Sequence, residues 1–254
     1  MYIKVLGCSA VELPNANLTS FLVDGKILID AGTIGSVLDE DKQWKIRHVL
    51  LTHSHLDHIK DLPFLADNIS ISKKKHTVSV FSIPAVNTAL KKNLFNDVIW
   101  PDFTRIPSSD NPIILLKNIR PGKSFKIDQY NITAHKVNHA VPAVGYHLED
   151  RKGKRLIYIG DAGPSNTIWK SVDKKIHGLI IEVSLPNSYK VMALETGHLT
   201  PELLASELNK MKHTPDMIFI THCKPGYRKK IKEELKKLNI NNIRILKDGT
   251  ELEI

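Results

Sequence analysis

Cysteine is scarce in this 254-residue chain: Cys8 and Cys223 are the only two. They make no disulfide framework, and their spacing matches no thiolate metal site. Each is read as a small buried apolar group. Aromatic residues amount to 6%, and no stretch interleaves them with basic residues as an RNA- or DNA-binding module would. No apolar run approaches the roughly 20 residues needed to span a bilayer. The "VLGC" at Val5 to Cys8 has too little chain before it for a basic segment plus an apolar one of about 7–15 residues. A first strand is expected there, in an intracellular, cytoplasmic protein without membrane partners. Gly/Ser linkers, low-complexity tracts and repeats are lacking as well, and the length is close to the upper size for one hydrophobic core. One domain over residues 1–254 follows.

Acidic residues are outnumbered, 27 against 36 Lys and Arg, for a net charge of +9. A basic protein attracts anions, from phosphorylated metabolites to nucleic acid. The lysine clusters (Lys73 to Lys75, Lys91-Lys92, Lys174-Lys175, Lys229-Lys230, Lys236-Lys237) are scattered, as solvated faces would be.

Periodicity divides the chain in two. "FLVDGKILIDAG" reads as two strands joined by an Asp24-Gly25 turn. "IRHVLLT" reads as a buried strand, and "DHIKDLPFLADN" behind it has helical spacing. "TVSVFSI" predicts a strand before a helix opened by Pro84, and residues 98–123, rich in Pro, Asp, Asn and Ser, a long excursion. Strands are expected near 124–128, 130–138, 143–149 and 154–160. The last third alternates: a helix from Ser165 to about Lys175, the strand "GLIIEVS", a helix capped by Thr200, the strand "DMIFIT", the amphipathic helix in "KPGYRKKIKEELKKL", and the strand "IRILK". Two packed sheets with helices outside fit this order.

What the chain does have is "HSHLDH", three histidines and an aspartate in six positions after an apolar strand. His53 and His55 are two apart, so an extended chain sends both imidazoles to one side. Asp57 and His58 follow at the expected start of a helix, where Asp57 can also serve as N-cap. Imidazole and carboxylate together suit zinc, iron or manganese. Further candidates end other strands: His139 after "NITAHKVN", Asp161 after "RLIYIG" and His222 after "MIFIT". Taken singly, His139 and His222 can be loop histidines and Asp161 a turn residue. Strand ends gathered at one sheet edge would bring them into one cleft.

This ordered set resembles the metallo-β-lactamase superfamily, over essentially the whole chain from about residue 3. The resemblance implies an α/β (α+β) fold, a four-layer αββα sandwich with a metal site at the sheet edge. It implies two divalent ions, zinc first with manganese or iron as alternatives. His53, His55 and His139 would hold one, and Asp57, His58 and His222 the other, with Asp161 between them. Asp57 then counts as catalytic too. Many β-lactamases of the superfamily depart from this pattern at His58 and Asp161, which speaks against antibiotic hydrolysis.

A metal pair stabilises both oxygens of an in-line displacement at phosphorus, but would equally serve thioesters or lactams. "ETGHLTPELLASEL" discriminates. His198 stands just before a helix capped by Thr200 and opened by Pro201, where free N–H groups favour an anion. There it can touch a phosphoryl oxygen or protonate a leaving alkoxide; the plain alternative is a loop histidine. The segment resembles tRNase Z and the class II cyclic-nucleotide phosphodiesterases, in which such a histidine assists catalysis and a nearby acid orients it. By position, His198 takes that role, Glu195 the orienting one, and Thr200 contacts substrate. Glu195 also reads as a solvated carboxylate. The openings "GCSAVELPNANLTSFLVDG" and "THSHLDHIKDLPFLADNI" resemble the phosphodiesterases more, and the Gly-rich basic arm usual in tRNase Z is lacking. Asn17, Thr19 and Ser20 are candidates for the pocket mouth, or ordinary turn and strand residues. The resemblance implies hydrolysis of 3′,5′-cyclic nucleotides to 5′-nucleotides by metal-activated water. An RNA endonuclease, a thioesterase or a lactonase stand as alternatives. The expected partner is a small anionic nucleotide, ahead of RNA. Base preference and oligomeric state, a homodimer included, are left open. His147 reads as a strand histidine; His48, His76, His135, His177 and His213 read as structural or surface residues.

Overall fold

Asp24 and Gly25 both take left-handed backbone, φ +47° and +69°, the conformation that a tight hairpin needs. The structure, a computed structural model, describes residues 1–72 and 76–254, and for Ser171 the backbone only. The lysine run at 73–75 lies outside the described residues. Along the chain run β1 (Tyr2–Gly7), β2 (Ser20–Val23), β3 (Ile27–Ile29), β4 (His48–Leu50), β5 (Val78–Ser82) and β6 (Ile114–Asn118). Next come β7 (Ser124–Ile127), β8 (Tyr130–Val137), β9 (Ala143–Glu149), β10 (Arg155–Tyr158), β11 (Gly178–Glu182), β12 (Met217–Thr221), β13 (Ile243–Ile245) and β14 (Glu251–Glu253). The helices are α1 (Glu40–Gln43), α2 (Leu56–Ile59), α3 (Leu62–Ile71), α4 (Pro84–Asn93), α5 (Lys190–Thr196), α6 (Pro201–Leu208) and α7 (Arg228–Lys237).

Among the described residues the strands form two seven-stranded sheets, ordered β14-β1-β2-β3-β4-β5-β6 and β13-β12-β11-β10-β9-β8-β7. Each is antiparallel on one side and parallel on the other: β3 to β6 run parallel in the first, and β10 to β13 in the second. The inner faces meet through buried side chains. Phe21 of β2 packs edge-on against Tyr158 of β10 at 5.2 Å, and Tyr146 of β9 donates its hydroxyl to the Leu51 carbonyl at 2.8 Å. Strand alternation separates the two faces of β11: Ile180 joins the core between the sheets, while Leu179 and Ile181 face the outer layer. α3 and α4 cover the first sheet with Leu62, Leu65, Ile69, Val86 and Leu90. α6 and α7 cover the second with Leu203, Leu204, Ile231 and Leu235. The four layers, helix, sheet, sheet, helix, are those of an αββα sandwich. No helix among the described residues is long and apolar enough to cross a membrane.

Several elements differ from expectation. The helix read across "DHIKDLPFLADN" is two helices, because Asp61 breaks it: its carboxylate accepts from the backbone N–H groups of Ile34 and Gly35, and its own N–H goes to Ala31. From Ser165 to Lys175 only a 3-10 turn forms, at Trp169–Ser171. Trp169 donates its indole N–H to Glu207 of α6 at 2.7 Å, and the Ser165 N–H goes to the same carboxylate, so side-chain anchoring sets this path. The excursion at 98–123 contains β6, parallel to β5. β14 and α5 had no clear signal.

Candidate metal centre and active site

The strands that carry ligand candidates all end at one edge. β3 and β4 run parallel, as do β10, β11 and β12. β8 is antiparallel to β9 and β9 to β10, so β8 ends there too. Beyond β4 the chain stays extended until His55, the N-cap residue of α2 (φ −65°, ψ 147°). His53 and His55 therefore project together, ring centroids 4.6 Å apart. Asp57 lies inside α2, so it is not the cap; its Oδ2 faces Nε2 of His222 at 3.1 Å.

Chain segments far apart in sequence complete the cluster. His139 Nε2 lies 3.2 Å from His55 Nδ1, and its Nδ1 donates to the Gly197 carbonyl at 3.0 Å. Asp161 stands between the two halves, with Oδ2 4.0 Å from His53 Nε2 and 3.3 Å from His222 Nε2, and Oδ1 3.4 Å from His58 Nε2. The seven ligand candidates fall into two groups of donor atoms, His53–His55–His139 and Asp57–His58–Asp161–His222, and a third group, Glu182–His198–His222, shares His222. A buried polar atom without a partner is costly. Here three of them, His53 Nε2, His58 Nε2 and Asp161 Oδ1, are buried without a hydrogen bond, as atoms awaiting cations would be. The donor set, imidazoles plus carboxylates, fits two divalent ions.

The electrostatics of the cluster follow from these contacts. Burial and the nearby His58 hold His53 well below the ordinary histidine pKa, with Asp161 only partly offsetting them, so its nitrogen is available as a ligand. Burial opposes the charged forms of Asp161 and His58. For Asp161, His222 and His58 outweigh it and hold the carboxyl well below its usual range. For His58, Asp161 and Asp30 outweigh it and push the pKa well up. Asp57 is also lowered, burial being overcome by His222 and His58.

Two buried acids absent from the sequence reading orient this cluster. Asp30, just past β3, accepts from the Thr52 N–H at 2.8 Å and the Tyr158 hydroxyl at 2.9 Å, and holds His58 Nδ1 at 2.8 Å. That turns His58 Nε2 toward the metal pocket, the usual task of a ligand histidine's outer partner. Glu182, the last residue of β11, sits 2.6 Å from His198 Nδ1. The signal for both was an acid closing an apolar strand, in "ILID" and "GLIIE".

His198 stands beside the cluster, its ring 5.3 Å from that of His139 and 5.7 Å from that of His222. Burial alone would lower its pKa, but Glu182, with Asp161 adding, raises it above the ordinary value. The acid that meets it is therefore Glu182. Glu195, expected in that place, is exposed on α5, where the helix turns its side chain to solvent. Thr200 is fully buried and caps α6 through Leu203 N–H. The Glu202 N–H is taken by Asn187 at 2.9 Å, and Pro201 has none, so the expected anion site at this helix start is already filled by protein groups. Asn17 spends its side-chain amide on the Leu6 carbonyl at 3.1 Å. Thr19 and Ser20 are buried, their hydroxyls bonded to the carbonyls of Ser9 and Asp30.

Comparison with known proteins agrees with this fold. A 3′,5′-cyclic-nucleotide phosphodiesterase of Aliivibrio fischeri is 25% identical over 260 residues, 79% of this chain and 72% of that protein. A ribonuclease Z of Pyrococcus horikoshii is 32% identical over 168 residues, 62% of this chain and 52% of that protein. The crystal structure of unliganded yeast PDE1 superposes with a TM-score of 0.82 at 20% identity, covering 100% of this chain and 99% of that one. The profile of the β-lactamase superfamily domain matches residues 26–223, a span that takes in every ligand candidate from His53 to His222. By that match over most of its length, the chain belongs to the β-lactamase superfamily.

Proposed function

We propose that the protein is a metal-dependent phosphodiesterase that hydrolyses 3′,5′-cyclic nucleotides to 5′-nucleotides. The observation that carries this reading is the His198–Glu182 pair, 2.6 Å apart, beside a cage suited to two divalent ions. Thioester hydrolysis, whose thiolate leaves readily, has less need of such a proton donor, whereas a phosphodiester has a poor alkoxide leaving group. The names of relatives that match 79% and 89% of the chain as cyclic-nucleotide phosphodiesterases support the same substrate class.

Two divalent ions, most readily zinc with manganese or iron as alternatives, would supply charge neutralisation at phosphorus and a more acidic water. His53, His55 and His139 would hold one, Asp57, His58 and His222 the other, with Asp161 shared. The protein's own residues divide the remaining work. Water attacks phosphorus and the P–O3′ bond breaks. His198, with Nδ1–H held by Glu182, gives the proton on Nε2 to the departing 3′ oxygen. Asp57, partly exposed at the pocket and ionised, is placed to take the proton that the water loses.

The purified protein, loaded with Zn²⁺ or Mn²⁺, should turn over cyclic AMP or cyclic GMP in parallel assays with an aryl phosphodiester and a precursor tRNA. Cleavage of the tRNA without cyclic-nucleotide turnover would overturn the assignment in favour of an RNA endonuclease, the reading that the ribonuclease Z relative favours. His198→Ala should lower kcat about 10²–10³-fold at unchanged metal content.

A further inference from the structure

Ser184 lies two residues beyond β11, fully buried, and its hydroxyl joins the two histidines that the mechanism keeps apart. The oxygen is 2.7 Å from Glu182 Oε2, 2.9 Å from His222 Nδ1, 3.1 Å from the His222 carbonyl and 3.4 Å from His198 Nδ1. A serine hydroxyl has one hydrogen to give. Glu182 is surrounded by donors: the N–H groups of Ala162, Ser184 and Leu199, together with His198. Its Oε2 therefore offers Ser184 only lone pairs. The His222 carbonyl can also only accept, but it is neutral and stands at 3.1 Å. A hydrogen turned away from the Glu182 carboxylate would set oxygen lone pairs against each other at 2.7 Å, so Ser184 donates to Glu182.

That choice settles the opposite side. Toward the His222 ring the hydroxyl has only a lone pair left, so His222 Nδ1 must carry hydrogen and donate. In the neutral ring Nε2 is then bare, and it faces Asp57 Oδ2 at 3.1 Å and Asp161 Oδ2 at 3.3 Å. Three acceptors converging on one point repel one another unless a cation lies between them.

We propose that Ser184 is a positioning residue that fixes the tautomer and ring orientation of His222 for metal binding. Through Glu182 it also ties that histidine to His198 in one hydrogen-bonded unit. His58 has the corresponding partner in Asp30, so both histidines of this half are oriented from behind, one by an acid and one by a hydroxyl. The inference rests on reading the cluster as a metal centre and is independent of the substrate.

The test compares Ser184→Ala and Ser184→Thr with the parent in competition for Zn²⁺ against a chromogenic chelator, alongside thermal melts. Ser184→Ala leaves Glu182 its three backbone donors and removes bulk, so it should fold. The zinc site that uses His222 should lose about 10–100-fold in affinity, while the site built on His53, His55 and His139 stays unchanged. Ser184→Thr keeps the hydroxyl and should restore the affinity. Two zinc sites of parental affinity in Ser184→Ala would overturn the proposal. So would a weakened site in Ser184→Thr that melts like the parent. If Ser184→Thr proves unstable, Ser184→Cys replaces it: with a poorer acceptor at nearly the same volume, it should bind zinc more weakly than the parent, and parental affinity there would also overturn the role. A protein that shows this zinc pattern without cleaving cyclic nucleotides would leave Ser184 in place and remove only the substrate assignment.

Discussion

Asp30 and Glu182 are fully buried, and each holds a histidine nitrogen, at 2.8 Å and 2.6 Å. Asp30→Ala strands the Thr52 N–H and the Tyr158 hydroxyl and frees His58 to rotate. The expected result is a loss of about 1–3 kcal/mol in urea unfolding and of about 10–100-fold in affinity at the Asp57–His58–His222 half, read by chelator competition. Glu182→Gln exchanges an acceptor for an amide facing donors. Steady-state kinetics should show kcat falling about 10²-fold with KM nearly unchanged, the signature of an interaction made in the transition state. Neither acid stood out in the sequence. "HSHLDH" did, because its members are neighbours whose directions follow from local geometry. Nothing about spacing connects residue 30 with 58 or 182 with 198. Glu195 illustrates the limit: three positions from His198, it points to solvent.

At the scale of elements, the short helix α5 governs where His139 and His198 sit. It ends at Gly197 in left-handed backbone, φ +70°, the usual way for a helix to stop. The next N–H, of His198, returns to the Ala193 carbonyl at 2.7 Å. A Cβ on Gly197 would meet the Cα of His139 at 2.9 Å. Gly197→Ala should therefore cost about 1–2 kcal/mol for the backbone conformation alone and shift both histidines. A denaturation midpoint and kcat that both stay at parental values would refute this placement. Gly32 is tighter still, since a Cβ there would stand 2.0 Å from the carbonyl oxygen of Asp57. The Asp24-Gly25 hairpin and the strands of the second sheet were legible from turn chemistry and alternation. The 3-10 turn at Trp169–Ser171 was not, because its path depends on an anchor to Glu207 in another helix.

For the molecule as a whole, the titration of groups away from the metal centre shapes stability. His135 on β8 lies near His147 on β9, their rings 6.5 Å apart. Burial and that neighbour lower the pKa of His135 to about 4. The unfolded chain, with an ordinary histidine near 6.5, then binds more protons between those values. This histidine's contribution is whole above about pH 6.5 and is lost as pH falls toward 4, to the extent of about 2 kcal/mol once partial solvent screening is allowed for. Urea midpoints should drop between pH 7 and pH 5, and His135→Gln should flatten the decline; equal slopes in the two proteins would refute the assignment.

The sequence by itself determined the strand alternation, the tight hairpin and seven metal-ligand candidates, because these depend on side-chain types and on directions set within a few residues. It also carried the class of fold, through strand and helix order. Only the tertiary structure decided that Glu182 rather than Glu195 meets His198, that Asp30 and Ser184 stand behind His58 and His222, and that protein groups already occupy the start of α6. Those pairings join strand ends brought together by sheet order, and one hydroxyl hydrogen or one filled N–H depends on distances of tenths of an ångström that no local spacing rule contains.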